Sequence, residues 1–99
     1  MHTHTPAADL YASKDGFLLV LDVPGVAEDE IDVTVEGRAL TLRAGGEEDA
    51  PPRWFHRFRL PQAADPEGIV ARHAEGVLEL RIPRLSGSGP RRVSVNAAP

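Results

Sequence analysis

Four histidines are the residues of this chain whose type best suits metal or acid–base chemistry. His2 and His4 lie beside the N-terminal amine, a spacing that can bind copper or zinc weakly. His56 and His73 stand apart in strand-like segments, and the chain has no cysteine to complete a structural zinc site. His2 and His4 can belong to an unstructured chain end, and His56 and His73 can be ordinary strand residues, so none of them requires a metal. The sequence therefore predicts no metal and no cofactor.

Nucleophilic catalysis would need a hydroxyl, a base and a group that orients the base. The four serines all fall in turn, linker or tail contexts: Ser13, Ser86, Ser88 and Ser94. No glycine pattern matches a phosphate-binding loop, and the acidic clusters at 28–30 and 47–49 do not match a calcium loop. We therefore predict that the protein is not an enzyme.

A basic strip with one aromatic residue, Arg53, Phe55, Arg57 and Arg59, could be read as a nucleic-acid surface. The formal net charge is −4, so the solvated face of a strand explains this strip better, and no nucleic-acid partner is predicted. The chain has no apolar run approaching the roughly 20 residues of a membrane span and no secretory signal. With no cysteine, these features predict a cytoplasmic protein without a membrane partner.

Charge is divided unevenly along the chain. Residues 1–50 carry eleven acidic and three basic side chains, and residues 51–99 carry four acidic and eight basic ones. A solvated surface accounts for this imbalance, although it could also help two chains, or two halves of one chain, to associate.

The elements that position these residues are short strands. Residues 77–83 alternate apolar and charged side chains between Gly76 and Pro83, and residues 31–36 alternate in the same way. Residues 17–23 are apolar on both faces, which predicts a central, covered strand. The pattern predicts seven strands at about 9–12, 17–23, 31–36, 39–43, 53–60, 69–73 and 77–83. Glycine and proline separate them, so we predict an all-β fold, a two-sheet antiparallel sandwich.

Five segments, in this order, resemble the α-crystallin domain of small heat shock proteins. They are Asp22-Val23-Pro24-Gly25-Val26 with Ile31-Asp32-Val33, then Leu40-Thr41-Leu42, Phe58-Arg59-Leu60-Pro61, Ile69–Leu78 with Ile82-Pro83, and Val93-Ser94-Val95. The resemblance covers about residues 8–95. It divides the chain into a short flexible arm (1–8), an α-crystallin-like domain (9–84) and a flexible tail (85–99).

The resemblance implies an immunoglobulin-like β-sandwich that acts as an ATP-independent chaperone, or holdase, in the stress response. Its partners would be partly unfolded proteins, bound through apolar edge grooves. Carried over to this chain, the groove residues are Ile31, Val33, Val35, Ile69, Val70 and Ala71. The tail motif, Val93 and Val95, would occupy the same groove and exchange with clients.

Two departures from the family pattern affect assembly. The arm is short and polar, and the loop from Ala44 to Pro52 leaves little room for the strand that bacterial and plant members exchange between subunits. We therefore predict a monomer or a non-swapped dimer rather than a large cage, with Trp54, His56 and Arg57 as candidate interface residues. The alternative is an adaptor like the p23/CS co-chaperone domain, which would bind one folded partner.

Overall fold

The computed structural model describes residues 3–47 and 49–85. They form seven strands and one short 3₁₀ helix. The strands are β1 (Ala8–Ser13), β2 (Gly16–Asp22), β3 (Ile31–Glu36), β4 (Ala39–Ala44), β5 (Trp54–Arg59), β6 (Val70–Ala74) and β7 (Val77–Pro83). The 3₁₀ helix, Glu28–Glu30, is a single turn that ends where β3 begins.

Two antiparallel sheets contain all seven strands. The larger sheet has the order β1-β2-β7-β6, and the smaller has the order β3-β4-β5. Each hairpin joins strands that are consecutive in the chain, while β7 returns to pair with β2. This arrangement confirms the predicted all-β sandwich, and it leaves β1, β6, β3 and β5 as sheet edges.

The inward faces of the two sheets form one core of aliphatic side chains. Its buried members are Leu19, Leu21, Val23, Val26, Leu40, Leu42, Ala44, Leu60, Ala64, Leu78, Leu80 and Ile82. In the larger sheet Leu19 lies opposite Leu80 and Leu21 lies opposite Leu78, so one face of each central strand is wholly apolar. Each fully buried leucine contributes about 1.5–3 kcal/mol, and this core is therefore the main source of stability.

The second face of β2 is less covered than the sequence indicates. Leu18 and Val20 point away from the core and are only half-buried, because no third layer covers the larger sheet within the part of the chain that the structure describes. Neighbouring side chains of the same sheet provide their partial cover. The prediction of a strand covered on both sides is wrong for this face.

The β6–β7 hairpin turns through Glu75 and Gly76, which both have positive φ, 51° and 78°. Two consecutive positive φ values are typical of a tight hairpin turn, which suits the right-handed twist of the strands. Space at position 76 is also limited, since a Cβ there would lie 3.3 Å from the Cα of Pro24, a tight contact.

The loop after β5 is held by Arg38 from the β3–β4 turn. The Arg38 guanidinium donates hydrogen bonds to the carbonyls of Pro61 (2.8 Å), Gln62 (2.8 Å) and Ala64 (3.1 Å). Farther along the same loop, Asp65 and Glu67 form a non-helical turn in which the Glu67 N–H donates to Asp65 Oδ1.

Residues 3–8 have defined contacts although the sequence suggests a mobile arm. The main chain of His4 bridges to β5: its N–H donates to the Arg53 carbonyl, and its carbonyl accepts from the Phe55 N–H. The His4 ring lies 5.6 Å from the Trp54 ring, and Pro6 is buried. This segment therefore lies along β5 before the chain enters β1.

Candidate functional site

The described residues offer no constellation for metal binding. Residues 3–47 and 49–85 contain no group of three or more His, Asp or Glu side chains that could hold an ion. His4 is exposed, His56 stacks on Phe58 with ring centroids 6.4 Å apart, and Ser13 bonds within its own turn. The one helix in these ranges has three residues and cannot cross a membrane. The feature of this surface that stands out is instead the arrangement of its sheet edges.

The four sheet edges are distributed over two margins of the sandwich. Residue 4 pairs with β5, and the same segment leads directly into β1, so β1 and β5 lie along one margin. Because the two sheets stack with their strands roughly aligned, we infer that the remaining edges, β3 and β6, share the opposite margin. These are the two strands that the sequence predicts as the walls of the groove.

The wall supplied by β3 presents three apolar side chains toward the other sheet. Ile31, Val33 and Val35 lie opposite Ala44, Leu42 and Leu40 of β4, and those three β4 residues are buried in the core. Ile31 and Val33 are half-buried against the core, whereas Val35 is 37% exposed. The inward face of β3 is therefore apolar and incompletely covered.

The wall supplied by β6 divides the predicted residues between two faces. Ala71 lies opposite the buried Leu80, which places it on the inward face, and Ile69 packs against the core just before the strand. Val70 lies opposite Arg81 and is 62% exposed, so it points to the outer face of the sheet. The structure therefore places Ile69 and Ala71 on the inward side of the larger sheet and Val70 on its outer face.

The candidate interface residues lie at the other margin. Trp54 and His56 are half-buried and inward-facing, opposite Ala44 and Leu42 of β4. Arg57 lies opposite Thr41 on the exposed outer face. The pairing of His4 with β5 covers the edge beside Trp54, so a partner subunit would have to displace that segment to pair there.

His73 ends the segment Ile69–His73 that the sequence predicts as one edge of the groove, although its side chain is not among the groove residues predicted individually. It lies opposite Leu78, so its side chain faces inward, and its Nε2 is buried without a hydrogen-bond partner. The signal was present in the alternation of β6, where residues 69, 71 and 73 share one face.

The charge beside the β3 wall is strongly acidic. Residues 28–36 contain five acidic side chains and no basic one. Within the described ranges one ion pair forms, between Glu30 and Arg53 at 3.6 Å, and both side chains are partly exposed. The tail motif Val93 and Val95 lies outside the described residues, and residues 86–99 contain two arginines and no acidic residue. The acidic strand and the basic tail are therefore complementary in charge.

Comparisons with known proteins agree on one family. The model of the Hsp20/alpha crystallin family matches residues 9–96. The 18 kDa antigen 2 of Mycobacterium avium is 32% identical over 95% of this chain and 78% of its own length. A class III heat shock protein of Arabidopsis thaliana is 28% identical over 91% of this chain and 70% of its own length. The chain spans only a quarter of one further relative, a heat shock protein of Dictyostelium discoideum, at 31% identity.

Solved structures give the same result. A small heat shock protein from Xylella fastidiosa superposes with a TM-score of 0.75 at 27% identity, covering 97% of this chain and 100% of that one. The hspA protein of Xanthomonas axonopodis superposes with a TM-score of 0.70 at 29% identity, covering 84% of this chain and 96% of that one. The sandwich is thus an α-crystallin domain, and the chain belongs to the Hsp20/alpha crystallin family, the family of small heat shock proteins.

Proposed function

We propose that this protein is an ATP-independent holdase that binds partly unfolded proteins in the groove between β3 and β6. The observation that carries the proposal is that the edge strands β3 and β6 each have one side without a partner strand within residues 3–47 and 49–85. Their apolar inward-facing side chains are incompletely covered. An extended client segment can pair with an edge strand through its main chain and insert alternate side chains between the sheets. Such binding needs no catalytic residue and no cofactor, so the protein acts as a chaperone and not as an enzyme.

The same groove is proposed to hold the chain's own Val93-Ser94-Val95 when no client is present. Burial of two valines contributes about 2–4 kcal/mol before the cost of ordering the tail, which is weak enough for exchange. Seven residues separate Leu85 from Val93 and can span about 25 Å, similar to the length of β7. The charge difference between the tail and residues 28–36 favours this location.

An aggregation assay with a heat-labile client tests the holdase activity. The wild-type chain should suppress light scattering at several-fold molar excess. Val93→Ala/Val95→Ala should lower the amount of chain required, because the tail no longer competes with the client for the groove. A chain that gives no suppression at that excess would contradict the proposal.

Two exposed valines on edge strands provide a matched pair for locating the client site. Val35 faces inward on β3, and Val70 faces outward on β6. Val35→Asp should weaken suppression several-fold, while Val70→Asp, the same chemical change at a more exposed valine, should leave it close to wild type. Equal losses from the two variants would indicate a general effect of surface hydrophobicity, and the groove would not be the client site.

The runner-up function is a p23/CS-like adaptor that binds one folded partner, and one surface favours it. The outer face of the larger sheet carries a hollow of about 580 Å³, lined among others by Tyr11, Leu18, Val70 and Arg81. Tyr11 is 57% exposed, so its ring is accessible to a partner at this hollow. In the aggregation assay an adaptor would be inactive with unrelated clients, so the same experiment separates the two functions.

For assembly we propose a monomer or non-swapped dimer in the cytoplasm. Residues 45–47 and 49–53 contain no strand that could exchange with a partner. Light scattering of the intact chain measures the mass directly, and a value above that of a dimer would contradict this assignment.

A further inference from the structure

The outer face of the larger sheet carries two adjacent rows of side chains that the proposed groove does not use. Each row crosses all four strands in the order β1, β2, β7, β6. The first row consists of Tyr11, Leu18, Arg81 and Val70. The second row, one pleat repeat along the strands, consists of Asp9, Val20, Glu79 and Arg72. Within the described residues no further layer covers either row.

This face is more apolar than the outer face of the smaller sheet. Val70 and Tyr11 are 62% and 57% exposed, the highest values among the large hydrophobic side chains of the described ranges. A hollow of about 580 Å³ lies along the first row, and a second of about 230 Å³ lies beside Arg72 and Glu79. The smaller sheet instead presents mainly threonine and charged side chains on its outer face. A contiguous apolar patch with polar neighbours is typical of a protein–protein contact surface.

The charges of the two rows are balanced in number and unpaired. Asp9 and Glu79 are acidic, and Arg72 and Arg81 are basic. Within residues 3–47 and 49–85 the one ion pair involves none of these four residues, although Arg72 lies directly opposite Glu79. A face with equal numbers of both signs has no excess charge to attract a strongly acidic or basic partner, but it can be complementary to a second copy of itself.

We propose that this face binds a second copy of the chain, outer face to outer face, about a two-fold axis that runs between the two rows and across the strands. This rotation places the first row of one subunit over the second row of the other. Leu18 then faces Val20 of the partner subunit, and Arg81 faces Glu79 of the partner subunit. Each contact occurs twice, because a two-fold interface uses the same patch on both subunits.

The inference deepens the proposed non-swapped dimer by naming its interface, and it leaves the margin between β3 and β6 free for clients. The size of the face predicts weak association. Four strands span about 19 Å, and the seven residues of β2 extend about 23 Å. The contact therefore covers roughly 400 Å² on each subunit, which is typical of weak, transient interfaces. We expect the dimer to form at micromolar to millimolar concentrations of chain.

Sedimentation equilibrium of the full chain between about 1 μM and 1 mM tests the proposal. Arg81→Glu and Glu79→Arg should each weaken the dimer about tenfold or more, because each change replaces two attractive charge pairs by two repulsive ones. An equimolar mixture of the two variants should restore association, since two acidic side chains of one variant then face two arginines of the other. Arg57→Glu is the matched control: Arg57 is equally an exposed strand arginine, on the outer face of the smaller sheet, and its substitution should leave the Kd unchanged.

The outcomes distinguish the interface from the assembly on which it rests. A wild-type chain that stays monomeric at about 1 mM would overturn the proposal. A dimer that neither Arg81→Glu nor Glu79→Arg weakens would keep the non-swapped dimer but exclude this face. Weakening by both variants without recovery in the mixture would overturn the arrangement of the rows, once circular dichroism shows that both variants are folded. None of these results depends on client binding, which the aggregation assay measures separately.

Discussion

Arg38 links the β3–β4 turn to the loop that leads from the smaller sheet into the larger one, and its three hydrogen bonds give a testable magnitude. The guanidinium donates to the carbonyls of Pro61, Gln62 and Ala64, and the residue is half-buried. Hydrogen bonds from a charged donor contribute about 1.5–3 kcal/mol each. Because the bond to Gln62 is exposed, we count the two part-buried bonds at the lower end of that range. Arg38→Met, which keeps the aliphatic stem, should therefore lower the free energy of unfolding by about 2–4 kcal/mol.

The same loop also fixes the start of the tail. The Leu85 N–H donates to the Ala63 carbonyl, and Arg84 bridges to Ala64. Loss of the Arg38 bonds should therefore loosen the point from which residues 86–99 depart, and tail docking should weaken together with stability.

Urea unfolding followed by Trp54 fluorescence and circular dichroism provides the assay. For a domain of this size, 2–4 kcal/mol corresponds to a decrease in Tm on the order of 10–20 °C. Arg38→Lys should fall between wild type and Arg38→Met, since an ammonium cannot reproduce the planar arrangement of donors. Arg57→Met is the control, because Arg57 is exposed on the outer face of the same sheet. If Arg38→Met changes stability no more than Arg57→Met does, the reasoning about this loop is wrong.

Three further predictions concern the hairpin, the core and the tail. Glu75→Asn should raise the free energy of unfolding by about 0.5–1 kcal/mol, because asparagine tolerates the positive φ at this position better than glutamate; thermal unfolding measures it, and a decrease would contradict the turn geometry. Leu80→Ala should lower stability by about 2–5 kcal/mol in urea, and a loss below 1 kcal/mol would show that Leu80 is not central to the core. Raising the sodium chloride concentration should weaken binding of a synthetic peptide of residues 86–99 to the chain that carries Val93→Ala/Val95→Ala. Added salt screens the attraction between the two arginines of the peptide and the acidic residues 28–36 of the chain, so a Kd independent of salt would exclude that attraction.

Most of the sandwich could be predicted because its strands have simple, local patterns. Residues 31–36 and 77–83 alternate with period two, and their apolar members occupy the inward faces as expected. Turn residues such as Gly76 mark the hairpins for the same local reason. The pairing of β7 with β2 depends on contacts between distant parts of the chain, so no local pattern predicts it.

The groove residues named from the sequence do not all lie on one face of β6, and the groove itself stays a prediction. Val70 and Ala71 cannot both line the groove, because adjacent residues of a strand point to opposite faces of the sheet. The structure resolves the choice by pairing Val70 with Arg81 on the outer face, which brings His73 to the inward face with Ala71. The contacts of residues 3–6 with β5 could not be predicted either, since a short polar segment carries no periodic signal.

Amide hydrogen exchange of the intact chain tests the groove most directly. The protected amides of wild type are compared with those of Val93→Ala/Val95→Ala, residue by residue. Docking of the tail between β3 and β6 predicts faster exchange in the variant at Ile31–Glu36 and Val70–Ala74, with β1 and β5 unchanged. Equal exchange at β3 and β6 in the two chains, or a change confined to β1 and β5, would contradict the proposal that this margin is the binding site.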